Sequence, residues 1–130
     1  RLSQPDDPPN VTHANTASPM LTLILGGRHE HVGVASGVEW FRSRDYPRPW
    51  QVAYFYLSTY YSSQAMAQVG GDAWNQIFPQ FASLLIAEQT RESAWPPGSG
   101  TEMQFGSVYS TSLAVLALTP AYQLLPIYQR

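Results

Sequence analysis

Two similar stretches of the sequence constrain the fold most strongly. YSSQAMAQV begins at Tyr61, and YSTSLAVLALT begins 48 residues later at Tyr109. Each stretch starts with tyrosine, continues through small hydroxyl residues and then becomes apolar, and neither contains a charged residue. A period of about 45–48 residues corresponds to two helices with their connections in repeat architectures. The pair therefore predicts that one type of helix is used more than once.

Five helical stretches follow one another along the chain, and they alternate between two kinds. The uncharged ones are predicted over 16–25, 50–69 and 107–118, whereas 30–42 and the stretch after Asp72 are amphipathic. Ser18 and Pro19 are predicted to begin the first helix, and Pro79 is predicted to begin or kink the fourth. The alternation predicts an all-α, two-layer fold of helical hairpins, with the uncharged helices inside.

The composition of the chain indicates which parts lie outside the helical domain and which partners the domain can have. Residues 1–14 are rich in proline and aspartate and are predicted to form a flexible arm before a helical domain over 15–130. Charged residues make up only 12% of the chain, against about 25% in typical proteins, which indicates that part of the surface faces a partner. The net charge of −2 argues against nucleic acid as that partner. The longest apolar run near the N-terminus, MLTLILGG, is far shorter than the roughly 20 residues of a membrane span.

One short motif resembles a known superfamily. Residues 89–95, QTRESAW, resemble the Q-x-x-x-G-x-W motif of the squalene cyclases and protein prenyltransferases, with Ser93 at the glycine position. Together with YSSQAM, YSTSLAVLAL and LPIYQR, the motif makes residues 16–130 similar to the C-terminal repeats of prenyltransferase/squalene-oxidase repeat proteins. The resemblance implies structural roles for Gln89 and Trp95. Trp50 lies 45 residues before Trp95 and is interpreted as part of a degenerate copy.

The resemblance also implies an architecture. Members of this superfamily form an (α/α)6 toroid, in which six helical hairpins make a ring and the inner helices line a cavity. Five helices supply fewer than half of such a ring. The chain is therefore expected to be the C-terminal part of a toroid, or a shortened relative that closes by association.

The catalytic groups of the resembled enzymes are missing from the sequence. The D-x-D-D acid of the terpene cyclases is absent, and without cysteine the Asp, Cys and His zinc site of the prenyltransferases cannot be assembled. His29, Glu30 and His31 are the only local cluster of metal-ligand types, and they are interpreted as a solvated turn at the start of the second helix. No catalytic residue, metal or cofactor is predicted.

Aromatic residues in the third helix have two interpretations. They either pack in the core between the two layers, or they form the wall of a central cavity that holds an apolar or cationic ligand. The candidate wall residues are Tyr54, Tyr56, Tyr60, Tyr61, Gln64 and Tyr109.

Two functional hypotheses remain open. The first is a non-catalytic helical-repeat module for protein association or apolar-ligand binding, whose partner is a second copy or the missing N-terminal repeats. The alternative is the C-terminal part of a terpene-cyclase-like enzyme whose catalytic acid lies upstream. The first is favoured because this chain carries no acid of the required kind.

Overall fold

Five α-helices make up the fold. The computed structural model describes residues 11–122, and within them it contains no β-strand. The helices are α1 (His13–Leu25), α2 (Val32–Arg42), α3 (Phe55–Val69), α4 (Gly71–Glu88) and α5 (Gly106–Leu118), with short 3-10 helices at Pro49–Gln51, Gly100–Phe105 and Pro120–Tyr122. The prediction of an all-α chain with five helices is confirmed. Among these helices none has the length and apolar character that crossing a membrane requires.

Helix α3 lies at the centre of the packing. It contacts α1 on one side and α5 on another, and it also contacts α4. Helix α2 packs against α1 and α4. The three uncharged helices are thus neighbours in the order α1, α3, α5, and the two amphipathic helices α2 and α4 are neighbours of each other. Buried side chains from all five helices form one apolar core.

The beginnings of two uncharged helices differ from the predictions. Helix α1 begins at His13, because the Thr12 hydroxyl accepts a hydrogen bond from the Asn15 backbone N–H at 3.1 Å and so caps the helix. Pro19 therefore lies inside α1, and the last two residues of the predicted arm are helical. The first ten residues of that arm, like residues 123–130, lie outside the described part of the chain.

Helix α3 begins at Phe55 and not at Trp50. Trp50 belongs to the 3-10 turn that Pro49 starts, and residues 52–54 connect this turn to α3. The apolar composition of residues 50–54 suggested helix, but the preceding prolines favour a turn at this point.

The amphipathic helices also begin elsewhere than predicted. Helix α4 begins at Gly71 and continues through Pro79, which is exposed, so the helix does not start at this proline. Helix α2 begins at Val32 because the His31 side chain caps it: the imidazole Nδ1 accepts a hydrogen bond from the Gly33 backbone N–H at 3.0 Å.

Candidate functional site

The predicted aromatic wall is distributed over several environments. Tyr56 is only 1% exposed and belongs to the apolar core, as the packing interpretation required of it. Tyr60 and Tyr61 are half-buried and contact each other with ring centroids 5.3 Å apart. Tyr109 contacts the Phe105 ring at 4.9 Å.

Gln64 and its neighbour Ser63 join α3 to the end of α5. The Gln64 amide Nε2 donates to the Leu116 carbonyl oxygen at 3.0 Å, and the Ser63 hydroxyl donates to the Ala117 carbonyl oxygen at 2.5 Å. The last carbonyl groups of a helix have no partner within the helix, so the two side chains satisfy the C-terminal end of α5. Polar side chains of the stretch that begins at Tyr61 therefore hydrogen-bond to the backbone of the apolar part of the stretch that begins at Tyr109.

The motif-like segment 89–95 forms a tight turn immediately after the end of α4. Ser93 has φ 59°, and in the described part of the chain no other residue except glycine has a positive φ. The left-handed region favours glycine, which is the residue that the resembled motif has at this position. The turn is closed by the Thr90 N–H, which donates to the Ala94 carbonyl oxygen at 2.8 Å.

This turn positions Trp95 against the end of α4. The indole is 4% exposed, and its Nε1–H donates to the Leu85 carbonyl oxygen at 2.8 Å. Gln89 and Trp50 have different surroundings. The Gln89 side chain is exposed at the C-terminal cap of α4. Trp50 is 64% exposed, which does not fit the structural role inferred for it.

A buried carboxylate that the sequence analysis missed lies at the start of α3. Glu102 is fully buried, and its two carboxylate oxygens accept hydrogen bonds from the backbone N–H groups of Tyr56 at 3.2 Å and Leu57 at 3.1 Å. Gly98 makes room for it, since a Cβ at that position would clash with the Glu102 carboxylate. Burial raises the pKa of Glu102, while hydrogen bonds from Tyr56, Leu57 and other donors act in the opposite direction.

This geometry assigns a capping role to Glu102. The first N–H groups of a helix have no partner within the helix, and they form the positive end of its dipole. Tyr54, the N-cap residue of α3, makes no side-chain capping bond. Glu102 therefore replaces a local cap, and it ties the connection between α4 and α5 to the central helix.

We expect Glu102→Gln to lower the free energy of unfolding by about 2 kcal/mol. The amide has only one acceptor oxygen, so its NH2 group faces one of the two α3 N–H donors and leaves it unpaired. Urea denaturation followed by circular dichroism measures the loss. The control is Glu92→Gln, because Glu92 is exposed, and an unchanged stability of the Glu102 variant would contradict the capping role.

A second buried polar group lies at the start of α1. His13 is 3% exposed, and its ring lies among aromatic rings with centroid distances of 4.8 Å to Trp40, 5.2 Å to Phe41 and 4.6 Å to Tyr46. Among the described residues, 11–122, its Nε2 atom has no hydrogen-bond partner. Burial, and secondly the nearby Arg44 guanidinium, lower the pKa of His13 to about 3, so the imidazole is neutral at pH 7.

The described residues contain no cluster of three or more histidine, cysteine, aspartate or glutamate side chains that could hold a metal ion. His31 caps α2 through its Nδ1 atom, and His29 is exposed in the turn before it. This placement agrees with the interpretation of residues 29–31 as a turn.

One edge of the molecule exposes apolar side chains. We define the α5 edge as Phe105, Val108, Ser112 and Val115. Val108 is 80% exposed, Phe105 51% and Val115 41%. Val108, Ser112 and Val115 recur at helical spacing, so they share one side of α5, and Phe105 immediately precedes this helix. This side carries no charge.

Comparisons with models of known protein families, with curated proteins and with solved structures give no match to this chain. The described residues form an all-helical fold in which the side chains of Glu102, Ser63 and Gln64 bond the ends of helices.

Proposed function

We propose that this chain is a non-catalytic helical-repeat module that works by association, with the α5 edge as its interface and a second copy of the chain as its partner. The observation that carries the proposal is the exposure of Val108 and Val115 on one uncharged side of α5, together with the exposed Phe105 just before the helix. Contiguous exposed apolar surface of this kind usually marks an interaction site.

The internal packing indicates the kind of partner. Within the chain, uncharged helices already pack on one another, α1 against α3 and α3 against α5. A further uncharged helix continues this series at α5. In a symmetric dimer the same edge is used twice, and pairing two copies of this edge brings no like charges together because the edge has none.

The proposal extends to the architecture. The order of the uncharged helices α1, α3 and α5, with α2 and α4 packed beside them, supports the C-terminal part of an (α/α)6 toroid that resembles the squalene cyclases and prenyltransferases. The left-handed Ser93 at the glycine position of the motif supports the same relationship. In this proposal the chain contributes structure and a surface, and no chemical step.

Sedimentation equilibrium over a wide concentration range tests the association. We expect the wild-type chain to form dimers and Val108→Asp to weaken dimerisation by about 100-fold, which is about 3 kcal/mol, because the interface then buries an unpaired charge. Val32→Asp is the matched control: Val32 is 72% exposed but lies at the start of α2. A wild-type chain that is monomeric at every concentration would overturn the proposal, as would equal effects of the two variants.

A further inference from the structure

A cavity with a volume of about 590 Å³ lies between the first turns of α1 and α3. Residues 12–15 form one wall, residues 51–54 form another, and Leu57 and Ser58 of α3 complete it. Small-molecule sites in proteins have volumes of roughly 300–1,000 Å³, so the cavity has the size of such a site. It contains only one of the six wall residues predicted from sequence, Tyr54.

The lining of this cavity carries no charge. None of its residues is an aspartate, glutamate, lysine or arginine. Its only histidine, His13, is neutral at pH 7 because burial and Arg44 lower its pKa to about 3. A charged ligand would lose its hydration here without gaining a countercharge from the lining itself, and this loss is costly.

The lining combines apolar side chains with polar ones that are held in place. Val52, Ala53 and Leu57 supply apolar surface, and most of the exposed cavity wall is apolar. His13 and Ser58 also line the cavity, and their side chains are only 3% and 5% exposed. A few fixed polar groups in a mainly apolar wall are the usual composition of a ligand site.

We propose that this cavity binds a small, uncharged and mainly apolar molecule that carries one hydrogen-bonding group. The site is separate from the α5 edge, so ligand binding does not depend on self-association. Tyr54, which is 40% exposed, also lines the cavity.

Two fluorescent probes that differ in one group test the predicted preference. N-Phenyl-1-naphthylamine is uncharged, and 1-anilinonaphthalene-8-sulfonate carries the same rings with a sulfonate. We expect the uncharged probe to bind saturably to one site with at least about tenfold higher affinity than the anion, a difference of about 1.4 kcal/mol. Absence of saturable binding, or equal affinity for the two probes, would overturn the proposal.

Filling the cavity locates the bound probe. Ala53→Trp and Ala14→Trp each place an indole in the lining, and we expect each to weaken binding of the uncharged probe by at least about tenfold. Ala87→Trp is the control, because Ala87 is exposed on α4 away from the cavity. Circular dichroism verifies that the variants keep their helix content. Unchanged binding in both filling variants would contradict the assignment.

The monomerising variant separates this site from the α5 edge. We expect Val108→Asp to bind the uncharged probe with wild-type affinity. Loss of binding in Val108→Asp would place the probe on the apolar edge and overturn the cavity assignment, whether or not the wild-type chain forms dimers.

Discussion

Lowering the pH through the range from above 6.5 to 3 should remove up to about 5 kcal/mol from the free energy of unfolding through His13 alone. The pKa of this residue falls from 6.5 to about 3 on folding, and each pKa unit corresponds to about 1.4 kcal/mol. In this interval the unfolded chain binds a proton that the folded chain excludes. The stabilisation is therefore fully present above pH 6.5 and is lost as the pH falls towards 3.

The variant His13→Phe isolates this contribution. Phenylalanine keeps an aromatic ring among Trp40, Phe41 and Tyr46 but has no titrating group. Urea denaturation at several pH values should show the wild type losing stability relative to the variant as the pH falls below 6.5, by up to about 5 kcal/mol at pH 3. His29→Phe is the control, because His29 is exposed.

Comparing wild type with His13→Phe also removes the pH dependence of stability that Glu102 causes. Burial raises the pKa of this carboxyl, so its contribution has the opposite sign: it is present at low pH and is lost as the pH rises through the folded-state pKa. Wild type and His13→Phe share this term, and it cancels in their difference. A difference that stays constant from pH 7 to pH 4 would show that His13 is not buried in its neutral form.

The helices were predictable where local signals stood alone. Helix α5 was expected over 107–118 and spans Gly106–Leu118, since glycine precedes it and Pro120 follows. The start of α1 was missed because two N-terminal signals compete: Thr12 is a capping residue, and Ser18 with Pro19 is another valid start. Burial of His13 and Ala17 against the rest of the chain favours the earlier one, and local sequence does not contain that information.

The polar contacts were not predictable for a similar reason. Glu102 stands alone in the sequence GTEMQF, and its partners are 45 and 46 residues away. Gln64 was predicted as a candidate residue of a cavity wall, whereas its amide group bonds the backbone of α5, 52 residues later. Sequence shows that such a residue needs a partner, and only the tertiary structure supplies it.

Trp95→Ala should lower the free energy of unfolding by about 3–5 kcal/mol, the usual cost of removing a buried indole. The side chain is 4% exposed, so its removal leaves a cavity between α4 and the following turn. It also leaves the Leu85 carbonyl oxygen without the Nε1–H donor. Both losses occur where α4 ends and the chain turns towards α5.

Two further variants separate packing from hydrogen bonding. Trp95→Phe loses the donor but retains part of the ring volume, so we expect a smaller loss than for Trp95→Ala, about 1–2 kcal/mol. Trp50→Ala is the matched control, because Trp50 is 64% exposed and exposed substitutions usually change stability by less than about 0.5 kcal/mol.

Urea denaturation measured by far-ultraviolet circular dichroism compares the stabilities of these variants. All of them are made in the Val108→Asp background and measured at one protein concentration, because association raises the apparent stability with concentration. Under these conditions the midpoint of Trp95→Ala should fall well below that of Trp50→Ala. Equal midpoints for the two would mean that the indole of Trp95 does not hold α4 to the turn. The role inferred for the 89–95 segment would then have to be abandoned, and with it one of the two observations on which the proposed similarity to the toroid repeats rests.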